Sequence, residues 1–358
     1  MEIPKTEGIK YAGSKLKLLP YIFEMVDELK DIETVLDGFS GSTRVSQAFA
    51  KLGYSTTSND ISAWSEVFAT CYLSSNNSNI YYDELINYLN NLQGIDGWFT
   101  ENYGGHIDEI KKPFQIKNTR KLDAIRDEIE LLNLSWEDKC VLLTSLIYAL
   151  DKVDNTLGHY VAYLTDWSSR SFNELKLKLP SRFKMIGQNK VIRDDIFNIV
   201  TTNQYDLVYF DPPYGSNNEK MPPSRVRYAA YYHLWTTIIQ HDKPQLFGKA
   251  NRREDSRDAQ ISSVFEEFRK NKAGNFLAME ALRKLISETN THYLLLSYSS
   301  GGRATKQQLL DIISEFGNLI DIKSIDYKKN VMSNMRSTQK WIHDDDKHNE
   351  YLFLMEKV

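Results

Sequence analysis

The chain has 358 residues, with 44 lysines and arginines against 48 aspartates and glutamates, and a formal charge of −4. That length holds one large domain or a domain with an insertion, and the charge excludes a general polyanion binder, so any nucleic-acid surface must be a local patch. No apolar run approaches about 20 residues, the first residues lack the apolar core of a signal peptide, and Cys71 and Cys140 stand far apart; a membrane span, a leader and a disulfide or zinc framework are not expected, and a reducing, cytoplasmic setting is.

In chain order, Lys10-Tyr11-Ala12-Gly13-Ser14-Lys15 reads as a tight turn opening an amphipathic helix over 16–29. It is either a cap or an aromatic and a lysine set against a small anionic ligand. Residues 34–36 read as a short strand, Asp37-Gly38-Phe39-Ser40-Gly41-Ser42 as a loop that lets a ligand approach the backbone, and 45–52 as a helix. Strand, glycine-rich turn and helix open a Rossmann-like sheet. A third glycine and a Gly-Lys-Ser/Thr are both lacking, so neither the dinucleotide fingerprint nor a P-loop is present. The strand at 54–60 ends in Asp60, which is placed either to accept from ribose hydroxyls or to cap the helix at 61–73.

Residues 74–180 break this rhythm. A polar linker at 74–79 precedes helices at 83–92, 119–133 and 136–152, and 98–117 reads as a surface loop. His106 and His159 each stand alone, so no metal site is expected. Residues 191–197 read as a strand ending in paired acids. Asp195 either accepts from an adenine amino group, with Ile196 and Phe197 flanking the ring, or caps the next turn.

The run at 207–210 is continuously apolar, as in a strand buried on both faces. Pro212 and Pro213 donate no N–H and end it, so the chain leaves the sheet at Asp211, at the edge where open α/β sheets bind ligands. Asp211-Pro212-Pro213-Tyr214 sets a carboxylate, two aimed carbonyls and an aromatic face side by side. Such a group of acceptors suits an exocyclic amino group with Tyr214 stacked on its base; the plainer reading is a Pro-Pro turn capped by Asp211. Residues 215–272 form a long polar excursion. Arg225, Arg227, Lys249, Arg252 and Arg253, interleaved with aromatics, suit phosphate contacts, and a solvated insert is the alternative. A helix at 275–288, a strand at 292–299, a helix at 305–316 and a strand at 351–355 complete an α/β alternation whose strand order is not readable.

Together these motifs resemble the adenine-specific DNA methyltransferases of the Dam-like (D12) class. The resemblance rests on Lys10–Lys15, Asp37–Ser42, Asn59-Asp60 and Asp211–Tyr214, in the family's order. It departs from the commoner Trp-Ala-Gly-Gly-Lys at Tyr11 and Ser14 and does not cover 74–180 or 215–272. It implies a Rossmann-like S-adenosylmethionine-dependent methyltransferase sheet with helical insertions. The catalytic core would be 1–73 and 181–358, with 74–180 a helical insertion and 215–272 a target-recognition insertion. It implies that Tyr11 and Lys15 hold the methionine end of the cofactor, that Asp37, Gly38, Phe39, Ser40, Gly41 and Ser42 wrap it, and that Asp60 binds its ribose and Asp195 with Ile196 its adenine. Asp211 and Pro212, stiffened by Pro213, would accept from the target N6 amino group, with Tyr214 stacked on the flipped base. The implied partner is double-stranded DNA, with a restriction endonuclease acting on the same site if the enzyme belongs to a restriction-modification system, an orphan or phage methylase being the alternative. Methylation of cytosine N4 or of RNA, and a silent recognition subunit, remain the rival readings.

Overall fold

The computed structural model describes residues 2–109, 112–184, 186–215, 227–257, 263–326 and 349–358. Seven strands form one sheet: β1 Thr34–Asp37, β2 Ser55–Asn59, β3 Lys190–Ile192, β4 Tyr205–Phe210, β5 Thr291–Ser299, β6 Gly317–Asp326 and β7 Asn349–Lys357, in the order β6-β7-β5-β4-β1-β2-β3. The strands from β3 to β5 pair in parallel, and β7 inserts antiparallel between β5 and β6. Strand order reverses at β1 and β4, where Asp37 lies opposite Tyr209. That reversal opens a crevice at the carboxyl edge of the sheet.

Strand β4 shows why its sequence is continuously apolar. Leu207 and Tyr209 pack with α1 (Leu19–Val26) and α2 (Arg44–Lys51) on one face. Val208 and Phe210 pack with α8 (Ile196–Thr202), α11 (Leu277–Glu288) and α12 (Lys306–Phe316) on the other. Burying each such side chain contributes about 1.5–3 kcal/mol, and β4 does so on both sides.

Helices α3 (Ala63–Leu73), α4 (Asn79–Asn90), α5 (Trp98–Tyr103), α6 (Ile116–Leu131) and α7 (Trp136–Leu150) build a further layer on the β3 side. Its core also takes in α10 (His233–Gln240). Leu234, Trp235, Ile238 and Ile239 of α10 are buried with Trp64, Phe68, Leu143 and Leu146. The reading of 215–272 as a purely polar excursion is therefore corrected over 228–240. A single turn, α9 (Tyr228–Tyr231), leads into this apolar helix. No helix among the described residues is long and apolar enough to cross a membrane.

Two further local expectations fail, and one strand was missed. Over 98–117, Phe99, Tyr103 and Phe114 are buried, so the stretch is not a surface loop; Ile110 and Lys111 lie outside the described residues. The strand expected to end in the paired acids Asp194 and Asp195 stops at Ile192, and α8 starts at Ile196. Strand β6 was not expected; it is half-exposed at the sheet edge and lacks an alternating pattern.

Asp123, on α6, explains how the segment at 98–103 is held. Its carboxylate is 3% exposed and accepts from Phe99 N at 2.9 Å, Thr100 N at 2.8 Å and Thr100 Oγ1 at 2.6 Å. These are N–H groups that the first turn of α5 cannot satisfy within the helix. Asp123→Ala should cost about 1–3 kcal/mol by leaving buried donors unpaired. Urea unfolding that shows no loss would mean that water replaces the carboxylate.

Candidate active site

Four acids meet at the carboxyl edge: Asp37 ends β1, Asp60 follows β2, Asp195 follows β3 and Asp211 follows β4. They line one cavity of about 380 Å³. The turn after β1 is shaped by contact. A Cβ on Gly38 would lie 2.7 Å from the Phe210 ring and 2.9 Å from Ile196, so only glycine lets the backbone sit there. Gly41 has φ +49°, and a Cβ there would meet the Tyr11 ring at 3.1 Å. Gly38 N donates to Tyr209 O and Ser40 N to Asn59 O, which ties the turn to both neighbouring strands.

Asp60 has two uses. Its Oδ2 accepts from Gly41 N and its Oδ1 from Ser62 N, both at 2.9 Å, so it fixes the glycine turn and the entry to α3 while lining the cavity. Asp37 is 1% exposed. Its Oδ2 accepts from Ser46 Oγ at 2.5 Å, and its Oδ1 has no hydrogen-bond partner among the described residues. Burial pushes this carboxyl up to about 7. Phe39, Phe197 and Phe265 form an aromatic slot, with Phe197 stacked on Phe265 at 5.8 Å and Phe39 edge-on to Phe265 at 5.4 Å. Asp195 accepts from Phe197 N at 3.0 Å, so it caps α8, and with Ile196 it lines the same cavity.

The Asp-Pro-Pro-Tyr turn is anchored by Arg303 N and the Tyr298 hydroxyl, which donate to Tyr214 O at 2.9 and 3.2 Å. Pro212 is buried and Pro213 lines the cavity. Lys15 Nζ lies 2.9 Å from Asp211 Oδ1 and 2.8 Å from Glu350 Oε1. The Tyr214 hydroxyl sits between the same two carboxylates, within hydrogen-bond reach of each. Ser297 Oγ donates to Glu350 Oε1 at 3.0 Å. Burial pushes the Asp211 carboxyl up to about 6, with Lys15 opposing the rise and Glu350 adding to it. Burial works against the Lys15 charge, but the two carboxylates overcome it and hold its proton more tightly than usual. Tyr214 stays protonated, since burial and then both carboxylates oppose its ionisation.

Tyr11, Lys15, the 37–42 turn, Asp60, Asp195, Ile196, Asp211 and Tyr214 are thus brought together. The tyrosine ring packs at 4.8 Å from Tyr298 and its hydroxyl points into the carboxylate cluster. Glu350, Ser297, Phe265 and Tyr228 were missed. Glu350 stands at the start of β7, one residue before its apolar run, and carries no local signal; only the pairing of β7 with β5 brings it to the site.

The basic residues expected to meet DNA divide. Arg225 lies outside the described residues. Lys249 is exposed and Arg227 half-buried at the start of α9. Arg252 is half-buried, with a guanidinium nitrogen on Ser256 O. Arg253 is corrected: it is 4% exposed, and its guanidinium is held by Asp242 and Asp255 at 2.7–2.9 Å. The flanking acids take up its donors, so it braces its own loop and does not present itself to phosphate.

Lys15→Met should leave two buried carboxylates uncompensated and cost about 3–5 kcal/mol near neutral pH. The loss should shrink in acid. The native pKa of Asp211 lies above its unfolded value, so stability falls as pH rises from about 4, and removal of Lys15 raises that native pKa further. Urea denaturation with equal losses at about pH 5 and pH 8 would contradict this pairing.

A family profile described as D12 class N6 adenine-specific DNA methyltransferase matches residues 11–299. Modification methylase StsI of Streptococcus sanguinis is 32% identical over 91% of this chain and 50% of its own length. Type II methyltransferase M.FokI of Planomicrobium okeanokoites is 27% identical over 98% of this chain and 53% of its own. Type II methyltransferase M.NlaIII of Neisseria lactamica is 27% identical over 98% of this chain and 100% of its own. The chain therefore spans about half the length of the first two relatives and matches the third from end to end. The profile match starts at the aromatic that walls the cavity, passes through the strands that carry its acids and stops at the end of β5; the chain belongs to the D12 class N6 adenine-specific DNA methyltransferase family.

Proposed function

We propose that the chain is a site-specific DNA methyltransferase that transfers a methyl group from S-adenosylmethionine to the N6 amino group of an adenine extruded from duplex DNA. It would act in the cytoplasm, beside a restriction endonuclease that cuts the same site. The observation that carries this reading is Asp211, fixed by two prolines at the sheet's switch point, in one cavity with Asp37 and Asp60.

The residues fit the cofactor. Asp37 Oδ1 is a buried acceptor with no donor among the described residues, which suits an ammonium group. Asp60 is set to accept from ribose hydroxyls, and the slot of Phe39, Phe197 and Phe265 suits a purine ring, with Asp195 and Ile196 at its edge. Tyr11, against Gly41, walls the remaining side. When bound, the cofactor supplies an electrophilic methyl group on a sulfonium.

The chain's own groups prepare the acceptor. The amino nitrogen of adenine is a poor nucleophile because its lone pair is delocalised into the ring. Asp211 and the carbonyl of Pro212 accept its two N–H groups, which draws the nitrogen toward tetrahedral geometry and localises the lone pair. Tyr214 gives the flipped base an aromatic face, worth about 1–3 kcal/mol of stacking and set against a flipping cost of a few kcal/mol. Of the cations assigned to phosphate in the 215–272 segment, Lys249 is exposed, and Arg227 and Arg252 are half-buried beside it.

Labelled methyl transfer to unmethylated duplex DNA, with the modified base mapped, tests the reading. Asp211→Ala should reduce transfer per folded molecule by on the order of 10²-fold or more, as loss of a preorganised transition-state contact does. Wild-type turnover in the folded variant would reduce the turn to a structural feature. Cofactor affinity should also weaken as pH falls below about 7, because Asp37 then takes up a proton and no longer pairs with an ammonium. Asp37→Asn should remove that dependence in calorimetry. A wild-type affinity that is flat from about pH 6 to 8.5 would take Asp37 out of the ammonium site.

A further inference from the structure

Glu350 has the most connected carboxylate of the site, yet it comes from an antiparallel strand far along the chain from the catalytic turn. It is 6% exposed, and its Oε1 alone accepts from Lys15 Nζ at 2.8 Å, from Ser297 Oγ at 3.0 Å and from the Tyr214 hydroxyl. Asp211 Oδ1 faces two of the same donors, Lys15 Nζ and the Tyr214 hydroxyl. One ammonium and one phenol proton are thus divided between two carboxylates. The hydroxyl has a single proton and serves only one of them at a time.

A lysine paired with Asp211 alone would neutralise it and fill its lone pairs. Asp211 would then be a weak acceptor for an incoming amino group. A second carboxylate on the same ammonium changes this balance. The geometry points to Glu350 as a positioning residue for Asp211: it holds Lys15 and the Tyr214 hydroxyl so that both can be released from Asp211 when an amino group arrives, without either donor losing a partner. The inference rests on the methyl-transfer reading given above and adds to it a counter-carboxylate that keeps the catalytic acceptor available.

The charged and titratable groups facing Asp211 come from every wall. They are Lys15 from the N-terminal segment, Tyr214 from the turn, Glu350 from β7, Asp37 from β1, Tyr209 from β4, and Tyr11 and Tyr228 from the aromatic side. The phenols titrate well above the working range, and Asp37, pushed up to about 7, is largely protonated where Asp211 titrates, so Glu350 is the carboxylate whose charge resists ionisation of Asp211. Transfer needs Asp211 as a carboxylate, so its rate falls on the acid side as that group takes up a proton. Exchanging Glu350 for a neutral amide lets Asp211 ionise at lower pH, and the acid limb of the rate profile must move down.

The test is labelled methyl transfer to duplex DNA by the full chain and by Glu350→Gln and Glu350→Asp, with kcat and KM followed from acid to alkaline pH beside thermal unfolding. Glu350→Gln is expected to lower kcat about tenfold or more, to change KM for DNA less than twofold, and to shift the acid limb to lower pH. Glu350→Asp keeps the charge on a shorter arm; its limb should stay near the wild-type position while kcat lies between the other two. A fall in kcat that only tracks the folded fraction, with an unmoved limb, overturns the inference and makes Glu350 structural. If Glu350→Gln does not fold, Glu350→Asp decides, and wild-type kcat in that variant overturns it as well. Methyl transfer by the wild type in the same assay separates these outcomes from failure of the underlying reading, since an inactive wild type sinks both.

Discussion

The ammonium of Lys15 is the contact on which the site depends. It joins three distant parts of the chain, the N-terminal segment, the turn after β4 and the start of β7, through Asp211 and Glu350. Two carboxylates buried this deeply would be severely destabilising alone, and one buried cation offsets much of that cost. The bridge also fixes the course of the segment before Lys15. That course lays Tyr11 against Gly41 and lets Ala12 N donate to the Tyr232 hydroxyl at 2.7 Å. The wall of the cavity is thus a consequence of where one lysine finds its partners.

The electrostatics of the cavity are lopsided. Asp37, Asp60, Asp195 and Asp211 all line it. Of the basic groups there, Lys15 is committed to Asp211 and Glu350, and Arg44 donates to the carbonyl of Thr6. A pocket of this kind favours a ligand that carries positive charge, and burial holds the carboxyls of Asp37, Asp60 and Asp211 above their usual range, a cost that a bound cation would offset. An ammonium and a sulfonium on one small molecule would match it, which supports the cofactor proposed above.

Much of this was legible in the sequence because the informative residues are local. A continuous apolar run stopped by two prolines marks a buried strand and its exit. A glycine pair after a short strand marks a close backbone approach, and Asp60 at a strand end marks the carboxyl edge of the sheet, where it lines the cavity. What was not legible depends on distant pairing. Glu350 reaches the site only through the register of β7 on β5. The 98–117 stretch was misread because Gly104, Gly105 and His106 look like a loop, while the Asp123 carboxylate that caps α5 lies about twenty residues on. Arg253 looked like a phosphate ligand because a run of arginines shows charge but not which acids fold over it.

The helical stretch formed by α9 and α10 sets a limit on modularity. Tyr228 and Tyr232 pack beside Tyr11, and Trp235 lies on Tyr232 at 4.2 Å, so this stretch belongs to the cavity wall as much as to the segment that contains it. Any exchange of the 215–272 segment between relatives that cuts at 215 would therefore carry away part of the cavity wall and replace it with foreign side chains. The stack ends at Gln240, after which His241 turns the chain with φ 50° into the small ladder of Leu246–Phe247 and Arg252–Arg253. A chimera joined there would change what the hairpin meets and leave the aromatic stack intact.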